Sequence, residues 1–227
     1  MSNSSSSEQQ SEIPSGFQLE HNVVPEETWQ AIQHWLSTEM LPSSLNDDSA
    51  HLTRVEIPWE IGSVDRRVAQ FGSCKYDYDA DNVIFFESPA FPIPTFIRET
   101  LLANEIGGDG EEYNQCIINM YNDENEIPWH VDHEYFGKKI LVYTFGASRP
   151  LCLRRPISHK DGKSIEYGSI GLQCPAEEYT FQLTQAHPRH CSKYILEGPS
   201  RSEWEHSVPS GKGKRISVTF RTWRGPT

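Results

Sequence analysis

The sequence predicts a mainly β domain of the sandwich or barrel type, with two helices packed against it. From residue 115 onward, short segments alternate apolar and polar side chains with a period of two. Polar connections separate these segments, and the chain has no internal repeat. A hydrophobic fraction of 36% over 227 residues is enough for one buried core, so we expect a single domain.

The period-two pattern identifies six strands. They are predicted at residues 115–121, 139–145, 151–154, 179–183, 194–197 and 215–223. The last strand is the clearest, because Ile216, Val218 and Phe220 alternate with polar residues. Residues 156–178 carry few strand signals, so we expect a long surface loop there.

Two segments with helical spacing precede the strands, at residues 25–40 and 94–104. Each begins with a proline, which suits the first turn of a helix. Residues 1–15 are polar and of low complexity, and they lack the apolar area that would offset the cost of ordering. We therefore predict a disordered tail followed by one domain over residues 16–227.

Composition restricts the compartment. The five cysteines are scattered and odd in number, which is typical of a reduced, intracellular protein. No stretch approaches the ~20 apolar residues of a membrane span, and no basic-then-apolar leader opens the chain. We expect a monomer in the nucleus or the cytoplasm, without a membrane segment.

The net charge of −12 is unevenly distributed. Residues 1–137 carry 25 acidic and 5 basic side chains, whereas residues 138–227 carry 7 acidic and 15 basic ones. Overall acidity argues against a nucleic-acid partner, but the basic half can supply phosphate contacts. The same lysines and arginines can equally form a solvated face, so both interpretations remain open.

A metal site is indicated by the segment Trp129-His-Val-Asp-His-Glu134. His130 and Asp132 are two residues apart, so both side chains point to the same side of an extended chain. With a second imidazole, for which His206 is the candidate, they make a facial triad that leaves three coordination positions open. That donor set selects non-haem Fe(II). A His-x-Asp pair alone is common by chance.

The strand Arg215-Ile-Ser-Val-Thr-Phe-Arg221 offers a site for an anion. Arg215, Ser217, Thr219 and Arg221 project from one face because they are spaced by two. Burying such a row is costly unless an anion satisfies it, and a dicarboxylate does so through arginine forks. The alternative is a solvated polar face on an antiparallel sheet.

Several short motifs occur in a fixed order along residues 65–223. They are Asn119-Met-Tyr121, His130-Val-Asp132, Phe145-Gly-Ala-Ser-Arg149, Trp204-Glu-His-Ser-Val-Pro209 and Arg215-Ile-Ser-Val-Thr-Phe-Arg221. In this order the chain resembles the AlkB family of Fe(II)/2-oxoglutarate dioxygenases. The resemblance implies a double-stranded β-helix, or jelly roll, with two supporting helices.

The resemblance also implies roles for individual residues. Fe(II) would be bound by His130, Asp132 and His206. 2-Oxoglutarate would be held by Asn119, Tyr121 and Arg215, in a pocket also lined by Ser217, Thr219 and Arg221. Ser217 is a departure, since the family often has asparagine there. O₂ would be the second co-substrate, and Glu134 and Arg149 would contact the substrate.

The function implied by the resemblance is oxidative demethylation of N-alkylated bases in DNA or RNA. The segment 71–78 carries three aromatic residues able to stack on a base, although core packing explains them equally well. The alternative is a related hydroxylase or demethylase of a protein or small molecule, which the acidity of the chain favours. A non-catalytic binding module is disfavoured, because every metal and co-substrate position holds a competent residue type.

Overall fold

The computed structural model describes residues 13–38, 59–61, 66–77, 82–85, 91–162 and 177–224. Within these ranges the helices are α1 (Glu26–Thr38), α2 (Thr95–Leu101) and α3 (Pro199–Ser202). The first strands are β1 (Phe17–Glu20), β2 (Trp59–Ile61), β3 (Arg67–Gly72), β4 (Cys74–Asp77), β5 (Asn82–Phe85), β6 (Gln115–Tyr121) and β7 (Ile127–His130). The remaining strands are β8 (Lys139–Gly146), β9 (Leu151–His159), β10 (Tyr179–Ala186), β11 (Ser192–Glu197), β12 (Glu205–Val208) and β13 (Arg215–Arg221).

The strands form two larger antiparallel sheets and one hairpin. The major sheet has the order β1-β11-β8-β13-β6-β3-β2, the minor sheet has the order β10-β9-β12-β7, and β4 pairs with β5. From β6 to β13 the chain passes repeatedly between the major and minor sheets. This winding is the predicted double-stranded β-helix, and the fold prediction is therefore confirmed.

Each face of the major sheet is buried, but against different partners. One face packs on α1 and α2 through a core that includes Ile32, Ile97, Ile118 and Phe220. The other face meets the minor sheet. On β13, Arg215, Ser217 and Thr219 point into this second layer and are 2%, 3% and 8% exposed. The alternative of a solvated polar face is thereby excluded.

All six predicted strands are present, β6 with its predicted bounds and the other five shifted at one end, of which β9 changes most. Residues 156–178 were expected to be a loop, but β9 continues to His159, where it pairs with Tyr179 of β10. The register shifts between Thr180, which pairs with Ser158, and Phe181, which pairs with Pro156, so Ile157 is skipped in the pairing. Ile157 is 51% exposed, so this end of the strand lacks the alternation that sequence patterns detect. Residues 163–176 lie outside the described ranges.

Three further expectations concern the N-terminal tail, the reduced state of the cysteines and the lack of a membrane segment. Residues 1–12 of the predicted tail lie outside the described ranges, and ordered structure includes β1 from Phe17. Cys74, Cys116, Cys152 and Cys191 are free thiols. In the part of the chain that the structure describes, no helix has the length and apolar character of a membrane span.

Candidate active site

The three predicted metal ligands meet between the sheets. β7 and β12 are neighbours in the minor sheet, and their register puts His206 directly opposite His130. Asp132 follows β7 after one residue. One ligand atom from each of the three side chains lies within 4.8 Å of the others, and His206 Nε2 is 3.7 Å from Asp132 Oδ2. Residues 76 positions apart thus form one cluster.

This cluster fits Fe(II). His130 Nδ1 lies 2.9 Å from the carbonyl oxygen of Pro128. Because a carbonyl can only accept, Nδ1 holds the proton and Nε2 keeps its lone pair for a metal. Two imidazoles and one carboxylate on one side are the donor set of non-haem iron oxygenases.

Burial and nearby charge keep the ligands in their metal-binding protonation states. Burial lowers the pKa of His206 to about 3, helped by the neighbouring His130, and burial likewise lowers the pKa of His130. Burial alone would raise the pKa of Asp132, but positive charge, above all that of Arg221, holds this pKa below its ordinary value. Neutral imidazoles and an ionised carboxylate are the forms that bind metal.

These shifts predict a pH dependence of stability in the metal-free protein. A histidine with a folded pKa of about 3 and an unfolded pKa of 6.5 contributes fully above pH 6.5 and loses its contribution as the pH falls. The loss is at most about 1.4 kcal/mol per pH unit. The unfolding free energy, measured by urea unfolding at several pH values between 7.5 and 5, should therefore fall less steeply with decreasing pH for His206→Gln than for the wild type. Identical slopes would contradict the buried, neutral state of His206.

Two arginines clamp the loop that carries Asp132. Arg221 Nη2 lies 2.5 Å from Asp132 Oδ1, and its guanidinium packs on the ring of Phe136. Arg201, on α3, donates to the backbone carbonyls of Asp132 and His133 at 2.9 and 2.8 Å. The sequence carried no signal for Arg201, because the contact spans 69 positions and involves only backbone acceptors.

A cavity of about 380 Å³ lies between the sheets, and His130, Asp132 and His206 are among the residues that line it. The predicted co-substrate residues Asn119, Tyr121, Ser217, Thr219 and Arg221 all line it. The cavity is also lined by Arg66 and Tyr194, which no sequence motif marked, and by Tyr76 of the aromatic segment 71–78. Two arginines and several hydroxyl and amide groups that can donate hydrogen bonds line the cavity, so it suits an anion.

Arg215 supplies a positive group beside this cavity, with one nitrogen that has no partner in the described structure. It does not line the cavity itself, but its guanidinium lies 4.8 Å from the ring centre of Tyr121, which does. It also hydrogen-bonds Tyr194, whose pKa is raised to about 12 by burial, so that phenol stays protonated. Arg215 Nη1 is buried without a partner in the described structure. A buried guanidinium N–H without an acceptor is costly, and a carboxylate would satisfy it.

The two residues predicted to contact substrate lie in different environments. Glu134 is exposed, two residues after Asp132. Arg149 is 2% exposed and donates to the carbonyls of Asn122, Asn125 and Gly213 at 2.6 to 2.9 Å. Arg149 thus already has a structural task, which is to hold two loops together, while its contact with substrate stays a prediction.

A pair of substitutions separates these two residues. Arg149→Leu should lower the free energy of unfolding by about 3 kcal/mol, because it leaves buried carbonyls without donors. Glu134→Gln should leave stability unchanged and alter only the KM for the substrate. Chemical unfolding and steady-state kinetics check both. A stable Arg149→Leu variant with a raised substrate KM would instead support direct contact by Arg149.

The aromatic segment 71–78 is divided between the core and the cavity. Phe71 is 4% exposed and packs in the core on the helix side, so it cannot stack on a ligand. Tyr76 lines the cavity, and Tyr78 lies outside the described ranges.

A row of rings leads away from the cavity wall. His133 lines the cavity and packs on Tyr135, which contacts Trp223, which in turn stacks on Phe85 at 6.1 Å. Phe85 is 54% exposed. This row gives the region beside the cavity an aromatic surface.

A second cluster of potential ligands joins Glu26, His190 and Cys191. Here the backbone N–H of Gly146 donates to His190 Nδ1 at 2.9 Å, so in the neutral ring Nε2 carries the proton. Nε2 is the nitrogen that faces Glu26 and Cys191. The imidazole therefore presents a donor to its neighbours, which does not suit a metal.

A jelly roll with a buried His-Asp-His cluster between its sheets is the architecture of Fe(II)- and 2-oxoglutarate-dependent oxygenases. The sequence matches the model of the 2OG-Fe(II) oxygenase superfamily over residues 16–221. The chain therefore belongs to this superfamily, and its curated relatives identify it as an AlkB-like member.

The relatives carry names from the same family. The chain is 28% identical over 179 residues to the human "DNA oxidative demethylase ALKBH2", which covers 75% of the chain and 61% of that protein. It is 25% identical over 165 residues to the bovine "Alpha-ketoglutarate-dependent dioxygenase alkB homolog 3", which covers 69% of the chain and 51% of that protein. The chain thus spans little more than half the length of these relatives.

A solved structure supports the fold alone. The structure of OsALKBH1 superposes with a TM-score of 0.56 at 14% identity, and the match covers 93% of this chain and 98% of the other.

Proposed function

We propose that the protein is an Fe(II)/2-oxoglutarate-dependent dioxygenase that oxidatively demethylates N-alkylated bases in DNA or RNA. The observation that carries the proposal is the buried His-Asp-His cluster at a cavity bordered by an arginine N–H without a partner. The cluster suits iron, and the N–H without a partner suits a carboxylate. A 2-oxoglutarate-dependent iron enzyme requires both an iron site and a carboxylate site.

In this proposal His130, Asp132 and His206 hold Fe(II). Iron held there would activate O₂, one atom of which oxidises 2-oxoglutarate to succinate and CO₂ while the other hydroxylates a substrate C–H. A hydroxylated N-methyl group then releases formaldehyde and the free N–H. The tasks of the chain are to bind the keto acid through its arginines, to keep Asp132 ionised through Arg221, and to shield the site between the sheets.

Support for a nucleobase comes from the cavity wall and its surroundings. Tyr76 and His133 line the cavity with rings on which a flat base can stack, and Glu134, the next residue after His133 in the chain, offers an acceptor. The relatives named as DNA oxidative demethylases favour the same substrate class. The positive balance of residues 138–227 is available for phosphates.

The second candidate is a hydroxylase or demethylase of a protein or small molecule. It is favoured by the charge of residues 1–137, where 25 acidic side chains face only 5 basic ones. An acidic balance of this size disfavours phosphates and favours cationic peptides. We rank this candidate second, because the aromatic row beside the cavity suits a base.

The experiment that decides between them offers both classes of substrate to one enzyme preparation. Methylated single-stranded DNA, methylated RNA and methylated lysine peptides are incubated with Fe(II), ascorbate and 2-oxoglutarate, and the products are identified by mass spectrometry. His206→Ala is the control. Demethylated oligonucleotides formed by the wild type alone, at a rate that falls steeply with salt, support the proposal. Modified peptides with unchanged oligonucleotides move the function to proteins.

A further inference from the structure

A buried arginine contacts the wall of the cavity from outside the recognised motifs. Arg66 immediately precedes β3, is 4% exposed and lines the cavity. Its Nε donates to Oδ1 of Asn119 at 3.0 Å. Asn119 is itself 5% exposed and lines the same cavity.

This hydrogen bond fixes which way the Asn119 amide faces. A guanidinium carries only donors, so the atom that accepts from Arg66 must be the amide oxygen. The amide nitrogen, with its two N–H donors, then lies on the other branch of the side chain. Within the described residues no acceptor is bonded to that nitrogen, so the donors are left for a cavity ligand. A ligand that uses both of them is rich in acceptor oxygens.

A second contact makes the orientation rigid. Arg66 Nη1 donates to the carbonyl oxygen of Glu126 at 3.1 Å. Glu126 immediately precedes β7, the strand that ends at His130. Arg66 therefore connects the wall that carries Asn119 to the strand that carries the first metal ligand. Donors fixed in this way need no reorganisation when a ligand binds, which lowers the cost of binding.

We propose that Arg66 is a positioning residue for 2-oxoglutarate, because it locks the Asn119 amide with its donor end toward the cavity. The inference rests on the proposed function only in taking 2-oxoglutarate as the ligand. Arg66 acts through Asn119, so its effect must depend on the presence of the Asn119 amide.

The test is a double-mutant cycle read by calorimetry. Binding of 2-oxoglutarate is measured to the full chain loaded with Mn(II), for the wild type, Arg66→Leu, Asn119→Leu and the double variant. We expect each single substitution to weaken binding about tenfold, the value of one well-placed hydrogen bond. In the Asn119→Leu background, Arg66→Leu should weaken 2-oxoglutarate binding by less than about threefold, because the amide that Arg66 holds is already absent.

The matched control is Arg67→Leu, which removes the same charge one position along the chain at a half-buried residue outside the cavity lining. It should leave 2-oxoglutarate binding within about twofold of the wild type. If Arg66→Leu does not fold, Arg66→Lys and Arg67→Lys replace the pair. Lysine keeps the charge but loses the planar fork, so only Arg66→Lys should weaken binding.

Three outcomes overturn the inference. Unchanged binding by Arg66→Leu removes the role altogether. If the weakening of 2-oxoglutarate binding in the double variant equals the product of the two single effects, Arg66 acts without Asn119. If Arg67→Leu weakens 2-oxoglutarate binding to the same extent, the effect comes from the loss of positive charge and not from the contact with Asn119. By contrast, a wild type that binds Mn(II) but no 2-oxoglutarate contradicts the proposed function, and the inference with it.

Discussion

Replacing Asp132 with alanine is expected to abolish turnover and also to destabilise the metal-free protein. Asp132 Oδ1 forms an ion pair with Arg221 Nη2 at 2.5 Å, and the Asp132 carboxylate is almost fully buried. Its removal leaves the Arg221 charge without its partner, which costs about 3 kcal/mol of unfolding free energy. Loss of a direct ligand should also lower Fe(II)-dependent succinate formation by more than about a hundredfold, since outer partners alone cost up to that much.

The control for this prediction is His206→Gln, which removes a different ligand from the same cluster. Turnover should fall equally, but His206 is neutral in the folded protein, so no charge is left unpaired. Its unfolding free energy at pH 7.5 should fall by less than about 1 kcal/mol. Urea unfolding of both metal-free variants makes the comparison. Equal destabilisation, or an Asp132→Ala variant as stable as the wild type, would contradict the ion-pair account.

Replacing Arg215 with leucine should have the second-largest effect, and on binding rather than stability. Arg215 is 2% exposed, and its Nη1 has no partner in the described structure. A bidentate pair with a carboxylate is worth about 3 kcal/mol, so the Kd of 2-oxoglutarate should rise about a hundredfold. The metal-free protein should stay within about 1 kcal/mol of the stability of the wild type, because loss of the unsatisfied buried donor offsets loss of the hydrogen bond to Tyr194.

Calorimetry with 2-oxoglutarate and thermal unfolding without it separate the two parts of this prediction. The control is Arg224→Leu, since Arg224 is an exposed arginine that pairs with Asp109 and Glu111. Its Kd for 2-oxoglutarate should stay within about twofold of the wild type. An Arg215→Leu variant that binds 2-oxoglutarate normally would show that the orphan donor serves another purpose.

The sequence predicted those parts of the site that depend on local spacing. His130 and Asp132 share a side because they are two residues apart, and the same rule aligns Arg215 with Ser217. Strand β6 was predicted with its observed bounds, Gln115–Tyr121, because its side chains alternate along a regular strand. The order of the motifs then supplied the family, and with it His206 and the jelly roll.

The parts that could not be predicted depend on contacts between distant segments. Arg66 reaches Asn119 across 53 positions, and Arg201 reaches Asp132 across 69. Both arginines donate hydrogen bonds to amide or carbonyl oxygens. Such acceptors occur in every segment of the chain, so no sequence pattern identifies the partners of these arginines. Arg149 illustrates the reverse case. It lies in a family-like segment, yet its guanidinium contacts three backbone carbonyls in the structure.

The most direct test of the central claim is succinate formation by the purified protein with Fe(II), ascorbate, O₂ and 2-oxoglutarate, compared with His130→Ala. His130→Ala is the suitable control, because it deletes one iron ligand and leaves the Arg221–Asp132 pair intact. We predict succinate above the background of the variant, stimulated by a methylated single-stranded oligonucleotide and accompanied by formaldehyde. Equal succinate from wild type and variant, with every substrate and at saturating iron, would contradict the assignment of the His130, Asp132 and His206 cluster as an oxygenase centre.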